Sequence, residues 1–159
     1  MEMPAATEDH KWLHRLVGKW TIAGRMQMGG EEHTSTEGTE TVKAFGDHWM
    51  VAEMSGKMPG SETVSNSIMA LTYDLAKKKY VGTFISDMMG FMWVYEGSRK
   101  GDVLTLDAEG PSFKGDGSMA KYQDIVEIKS DKEYTLSSQV LGEDGKWTPF
   151  MSMVFTRKG

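Results

Sequence analysis

From Gly18 onward the chain alternates apolar and polar residues with a period of two, in segments of about ten residues. Turn residues interrupt the segments at Met28 to Glu32, Gly46-Asp47, Met58 to Ser61, Asp74 to Lys78, Lys100-Gly101, Ser130 to Lys132 and Asp144-Gly145. The pattern predicts about ten antiparallel strands joined by short connections. Ahead of them, Trp12, Leu13, Leu16 and Val17 form one apolar stripe while Glu8, Asp9, Lys11 and Arg15 lie away from it. This predicts one short helix over 7–17, capped by Thr7. Consecutive antiparallel strands with short turns make an up-and-down meander, and closing it into a barrel removes its exposed edges. The expected fold is therefore all-β, a single domain over 1–159 with the helix at 7–17 and the barrel at 18–158.

Turn chemistry sets a register for each hairpin. A two-residue Asp144-Gly145 turn opposes Tyr134 with Phe155, Leu136 with Met153 and Ser138 with Met151. A three-residue turn about Asp131 opposes Ile128 with Tyr134, Val126 with Leu136, Asp124 with Ser138 and Tyr122 with Val140. A Lys100-Gly101 turn places Trp93 beside Ala108, Tyr95 beside Leu106 and Gly97 beside Leu104. These pairings agree on one apolar interior. Strand 91 to 99 is apolar on both faces, with Trp93 and Tyr95 inward and Met92 and Val94 outward, where the helix or a second subunit is expected to cover them. The irregular stretch GPSFKGDG at 110–117 has the length of a flap over an opening.

Candidate chemistry rests on carboxylates. A two- or four-residue loop about Gly46-Asp47 opposes Ala44 with Trp49, Val42 with Val51, and Glu40 with Glu53. Two glutamates facing each other on an apolar face need a shared proton, a cation, a metal or water. Asp124 shares its face with Tyr122, Val126 and Ser138 and, once buried, must be hydrogen-bonded. Asp87 reads as a turn former. His10 and His14 have the i, i+4 spacing of a metal pair but lack a third donor, so no metal is expected. All four histidines precede residue 49, no serine sits in a G-x-S-x-G elbow, and no strand–glycine loop–helix unit cradles phosphate. No cofactor is called for. Fourteen methionines, several on expected strands, fit an adaptable apolar interior.

Composition narrows the partners. The net charge of −5, the sequence pI near 5.4 and the scattered lysines and arginines argue against a nucleic-acid partner. The absence of cysteine removes disulfides and thiol chemistry. There is no basic and then apolar leader and no run near the roughly 18 apolar residues of a membrane span, so a cytoplasmic address without membrane partners is expected.

The segments WLHRLVGKW at 12–20, GTETVKAFGDHWMVAE at 38–53, LTYDLAKKKYVGTF at 71–84, MWVYEG at 92–97, LTLDAEGPSF at 104–113 and MAKYQDIVEI at 119–128 together resemble a bacterial family, domain of unknown function 1579. The resemblance spans nearly the whole chain and implies a calycin-like barrel, related in shape to lipocalins. It implies no activity, cofactor or catalytic residue. Gly18-x-Trp20 is similar to the first strand of lipocalin-like barrels, where a tryptophan closes one end.

Three readings of function follow. The first is a binding barrel for a small apolar or amphipathic molecule, its cavity lined by Glu40, Trp49, Glu53, Trp93, Tyr95, Tyr122, Asp124, Ser138, Met151 and Met153. The second is a small-molecule isomerase, lyase or hydrolase using Glu40, Glu53 or Asp124 as acid and base. The third is an interaction protein with a filled barrel. A homodimer through the outer face of strand 91 to 99 is compatible with each.

Overall fold

The computed structural model describes residues 2–28 and 30–158, Met28 as backbone only. Helix α1 (Glu8–His14) precedes ten strands: β1 Gly18–Met28, β2 Glu31–Phe45, β3 Trp49–Lys57, β4 Val64–Asp74, β5 Lys79–Ser86, β6 Met89–Lys100, β7 Val103–Pro111, β8 Met119–Ser130, β9 Glu133–Leu141 and β10 Trp147–Arg157. Each strand pairs antiparallel with its neighbour in sequence, and β1 pairs with β10, so the meander closes without a free edge. Alternation decides the faces. Trp20, Val42, Leu71, Leu104, Leu106, Tyr134 and Phe155 point inward and are almost fully buried, while their neighbours along the strands face outward.

The registers of the last two hairpins match their expected pairs, though the turns differ. Tyr134 opposes Phe155 and Leu136 opposes Met153, but the loop is five residues, 142–146, with the extra residue Phe150 bulged out of register. Ile128 opposes Tyr134 and Asp124 opposes Ser138 around a two-residue Asp131-Lys132 turn with a bulge at Lys129. Two expectations are corrected. The β6–β7 turn is Gly101-Asp102, so Gly97 opposes Leu106 and every expected pair slides by two residues, which keeps the faces unchanged. The β2–β3 loop has three residues, so Phe45 opposes Trp49, Glu40 opposes Met54, and Glu53 opposes Thr41. That slip of one flips a strand face, because side-chain direction has a period of two.

Helix α1 closes one end of the barrel. Trp12, Leu13 and Leu16 are buried against it. The Thr7 N–H donates to His10 Nδ1 at 2.9 Å, which leaves His10 Nε2 to donate to the Tyr73 carbonyl at 2.9 Å. His14 Nε2 bonds the Trp49 carbonyl at 3.0 Å. The i, i+4 histidine pair therefore ties the helix to the barrel rim, and no group of three potential metal ligands occurs among the described residues. At the same end the Arg99 guanidinium reaches Asp9 at 2.8 Å and the Tyr80 hydroxyl at 2.9 Å. The helix does not lie over β6: Met92 and Val94 are 56% and 57% exposed, which corrects the expectation that α1 covers them. None of the described helices is long and apolar enough to cross a membrane.

Candidate functional site

Inward-facing residues show a gradient along the barrel axis. Toward α1 they are buried; toward the opposite end Ile22, Met26, Met54, Ser67, Phe84, Phe91, Trp93, Ala108, Met151 and Met153 are only half-buried. Solvent thus reaches into the barrel from the end that carries the β7–β8 and β9–β10 loops. The lining there is two-sided. Strands β6, β8 and β10 contribute Phe91, Trp93, Tyr122 and the methionines, whereas β4 and β5 contribute Ser65, Ser67 and Ser86.

The aromatic side is a chain of edge-to-face contacts. Trp93 lies 5.1 Å from Phe91 and 5.0 Å from Tyr122, ring centre to ring centre. Phe113, from the loop after β7, meets Tyr122 at 5.8 Å and Phe150 at 5.0 Å. Gly110 makes room for this arrangement, since a Cβ there would overlap the Trp93 ring. The stretch expected as an irregular flap at 110–117 begins as strand and continues as a tied loop: Ser112 N–H donates to the Ser118 carbonyl at 2.9 Å, and the two hydroxyls are 2.7 Å apart. Phe113 on this loop is 53% exposed beside Tyr122 and Phe150.

Below the aromatic cluster sits Asp124. The Tyr95 hydroxyl donates to Oδ2 and the Ser138 hydroxyl to Oδ1 at 2.6 Å. Burial pushes the Asp124 pKa up against the opposing effect of those two hydrogen bonds, and burial beside this carboxylate pushes Tyr95 well above its ordinary value. Nearer the helix end, Glu40 is 4% exposed, lies opposite Trp20 and accepts the Tyr134 hydroxyl. Burial raises its pKa from 4.5 to about 7, with the Tyr134 bond acting in the other direction. A carboxyl titrating near neutrality can hold or release a proton, which is the chemical capacity of this group.

The structure brings Trp93, Tyr95, Tyr122, Asp124, Ser138, Met151 and Met153 into one upper interior. It does not bring Trp49 or Glu53 there. Trp49 stands at the β2–β3 loop beside exposed Phe45, and Glu53 is exposed on the outer surface, where it lines an open groove of about 530 Å³ with Thr39, Ile68, Ile85 and Asp87. The Glu40–Glu53 pair is therefore absent, because the loop has three residues where the pairing needs two or four. Phe84 and the serines of β4 and β5 share the inward period and were legible in principle. Phe113 and Phe150 sit in a loop and at a bulge, where no period marks them.

Solved structures with this architecture are distant in sequence. Rv2717c from M. tuberculosis is 14% identical, with 97% of this chain and 99% of that one covered and a TM-score of 0.63. The S-type phycobiliprotein lyase CPES from Guillardia theta is 11% identical over 94% of this chain and 92% of that one, with a TM-score of 0.60. The redesigned barrel mFAP0, bound to DFHBI, is 11% identical over 90% and 99%, with a TM-score of 0.50. At these identities the likeness is one of fold. No curated protein matches the chain significantly. The family model described as "Protein of unknown function (DUF1579)" matches residues 5–157, and the chain belongs to that family.

Proposed function

We propose that the protein is a binding barrel for a small apolar or amphipathic molecule, admitted at the end opposite α1. The observation that carries this reading is the burial gradient: the inward side chains are packed at the helix end, whereas toward the other end Phe91, Trp93, Met151 and Met153 keep partial access beside buried Tyr122 and Ser138. A filled barrel would bury them along its whole length. The facing aromatic and serine sides suit a molecule with an apolar body and a polar edge. That mFAP0 is a barrel bound to DFHBI is consistent with such use of the fold.

Nile red and decan-1-ol, both uncharged, are the probes. Calorimetry is expected to show saturable binding of one molecule per chain, with a shift in tryptophan emission. In Trp93→Phe the emission shift should largely disappear while binding survives, because a ring still fills the position. Failure of both probes to bind saturably overturns the reading in favour of a filled barrel.

The quaternary proposal is a homodimer through the outer face of β4 to β6. Ile68 opposes Ile85 and Thr83 opposes Val94 there, and Met92 and Val94 extend the apolar surface. Sedimentation at tens of micromolar is expected to give a dimer that Val94→Glu dissociates, and a monomeric wild type at that concentration sinks the proposal.

A further inference from the structure

The upper interior holds the Asp124 carboxylate and, among the described inward positions, no lysine or arginine; its one imidazole, His33, lies 3.6 Å from Glu31. Position by position, the inward residues of that half are Ile22, Gly24 and Met26 on β1, His33, Ser35 and Gly38 on β2, and then serine, glycine, methionine and aromatic residues round to Met151 and Met153 on β10, with Asp124 among them. Lysine and arginine are missing from all of these described positions. The two arginines at inward positions, Arg99 and Arg157, both lie at the helix end and are already bonded, Arg99 to Asp9 and Tyr80, Arg157 to the carbonyls of Val17, Arg15 and Asp131. Asp124 accepts one hydroxyl on each oxygen, whereas a carboxylate offers about four lone-pair sites. It therefore retains acceptor capacity. Above it, Trp93 stands 5.1 Å from Phe91 and 5.0 Å from Tyr122, ring centre to ring centre, and such rings offer the negative faces that attract organic cations.

We infer that the ligand is a cationic amphiphile, a protonated or quaternary amine carrying an apolar body, with its ammonium held between the Asp124 carboxylate and the Trp93 and Tyr122 rings. This rests on the binding-barrel reading above. An anionic headgroup of the fatty-acid kind would meet the Asp124 charge with no lysine or arginine to offset it. A neutral ligand would fill the apolar side but leave the carboxylate uncompensated.

Three probes of equal chain length separate the possibilities: decyltrimethylammonium, decyl sulfate and decan-1-ol, each below its micellar concentration, titrated by calorimetry into the full chain. The expected order is ammonium first, then alcohol, then sulfate, with the ammonium favoured over the alcohol by about tenfold, the value of one desolvated cation–π or charge contact. Asp124→Asn should cut that preference severalfold by weakening ammonium binding, the ring contacts alone remaining. Sulfate binding equal to or tighter than ammonium binding by the wild type overturns the inference and leaves the binding barrel standing, as does an undiminished ammonium preference in folded Asp124→Asn. If none of the three binds, both fall. Should Asp124→Asn fail to fold, the order shown by the wild type decides alone.

Discussion

Glu40→Gln is expected to stabilise the protein at pH 7.5 by about 2 to 3 kcal/mol and to change it little at pH 5. Glu40 is buried with its carboxyl against Tyr134 and opposite Trp20, and no described salt bridge reaches it. Its folded pKa stands near 7 against an ordinary 4.5. Between those values the folded state binds more protons than the unfolded state, so stability falls as pH rises through that window and the full penalty is in place above it. Below about 4.5 both states are protonated and the difference vanishes. Asp124, also raised by burial, adds to the trend with the same sign. The carboxylates held low by hydrogen bonds or ion pairs, Asp87, Asp102, Asp116 and Glu143, lose their contribution only as pH falls below the ordinary carboxylate range, outside the interval from pH 5 to 7.5. Glutamine keeps an oxygen for the Tyr134 hydroxyl and carries no charge to desolvate. Denaturant titrations of wild type and variant at the two pH values measure the effect. A variant less stable than wild type at pH 7.5 would mean that a cation compensates Glu40, and the raised pKa would be wrong.

What the sequence made legible was whatever follows from period and turn chemistry. The single helix derives from its apolar stripe, and the ten strands and the inward set Trp93, Tyr95, Tyr122, Asp124, Ser138, Met151 and Met153 derive from alternation. Asp124 opposite Ser138 was predictable because the added residue at Lys129 and the shortened turn at Asp131-Lys132 compensate each other. The same tolerance failed at Gly46 to His48. An odd number of residues in that loop moved Glu53 and Trp49 to the outside, and no composition rule separates a three-residue loop from one of two or four there. Phe113 and Phe150 escaped for a related reason, since bulges and loops abolish the period that would have marked them. The isolation of Glu40 is a tertiary fact: Tyr134 reaches it from a strand ninety-four positions away.

Arg157→Ala is expected to destabilise the protein by about 3 kcal/mol, from several charge-assisted hydrogen bonds lost at once. The guanidinium donates from Nη1 to the Val17 carbonyl at 2.8 Å, from Nη2 to the Arg15 carbonyl at 3.0 Å and from Nε to the Asp131 carbonyl at 2.7 Å. It also lies over the Trp20 ring at 4.2 Å. The last helical carbonyls, of Trp12, Leu13 and His14, are met by the amides of Arg15, Leu16 and Val17, and the barrel supplies donors to the turn that follows: Arg157 to the Arg15 and Val17 carbonyls and Trp20 Nε1 to the Leu16 carbonyl at 2.9 Å. Gly18 turns the chain from helix to β1 with φ of 144°, and a Cβ there would overlap the guanidinium. One side chain thus joins α1, the start of β1, the β8–β9 turn and the end of β10, the strand that closes the barrel on β1. Arg157→Lys keeps the charge but not the planar fork or the stack, so it should recover less than half of the loss, about 1 kcal/mol. Chemical denaturation of the two variants gives the magnitudes, and hydrogen exchange should accelerate first at the amides of Leu16 to Gly18, where the plug leaves the barrel. A lysine variant as stable as wild type would show that charge alone holds this end, and an alanine variant within about 0.5 kcal/mol of wild type would show that water satisfies those carbonyls as well as Arg157 does.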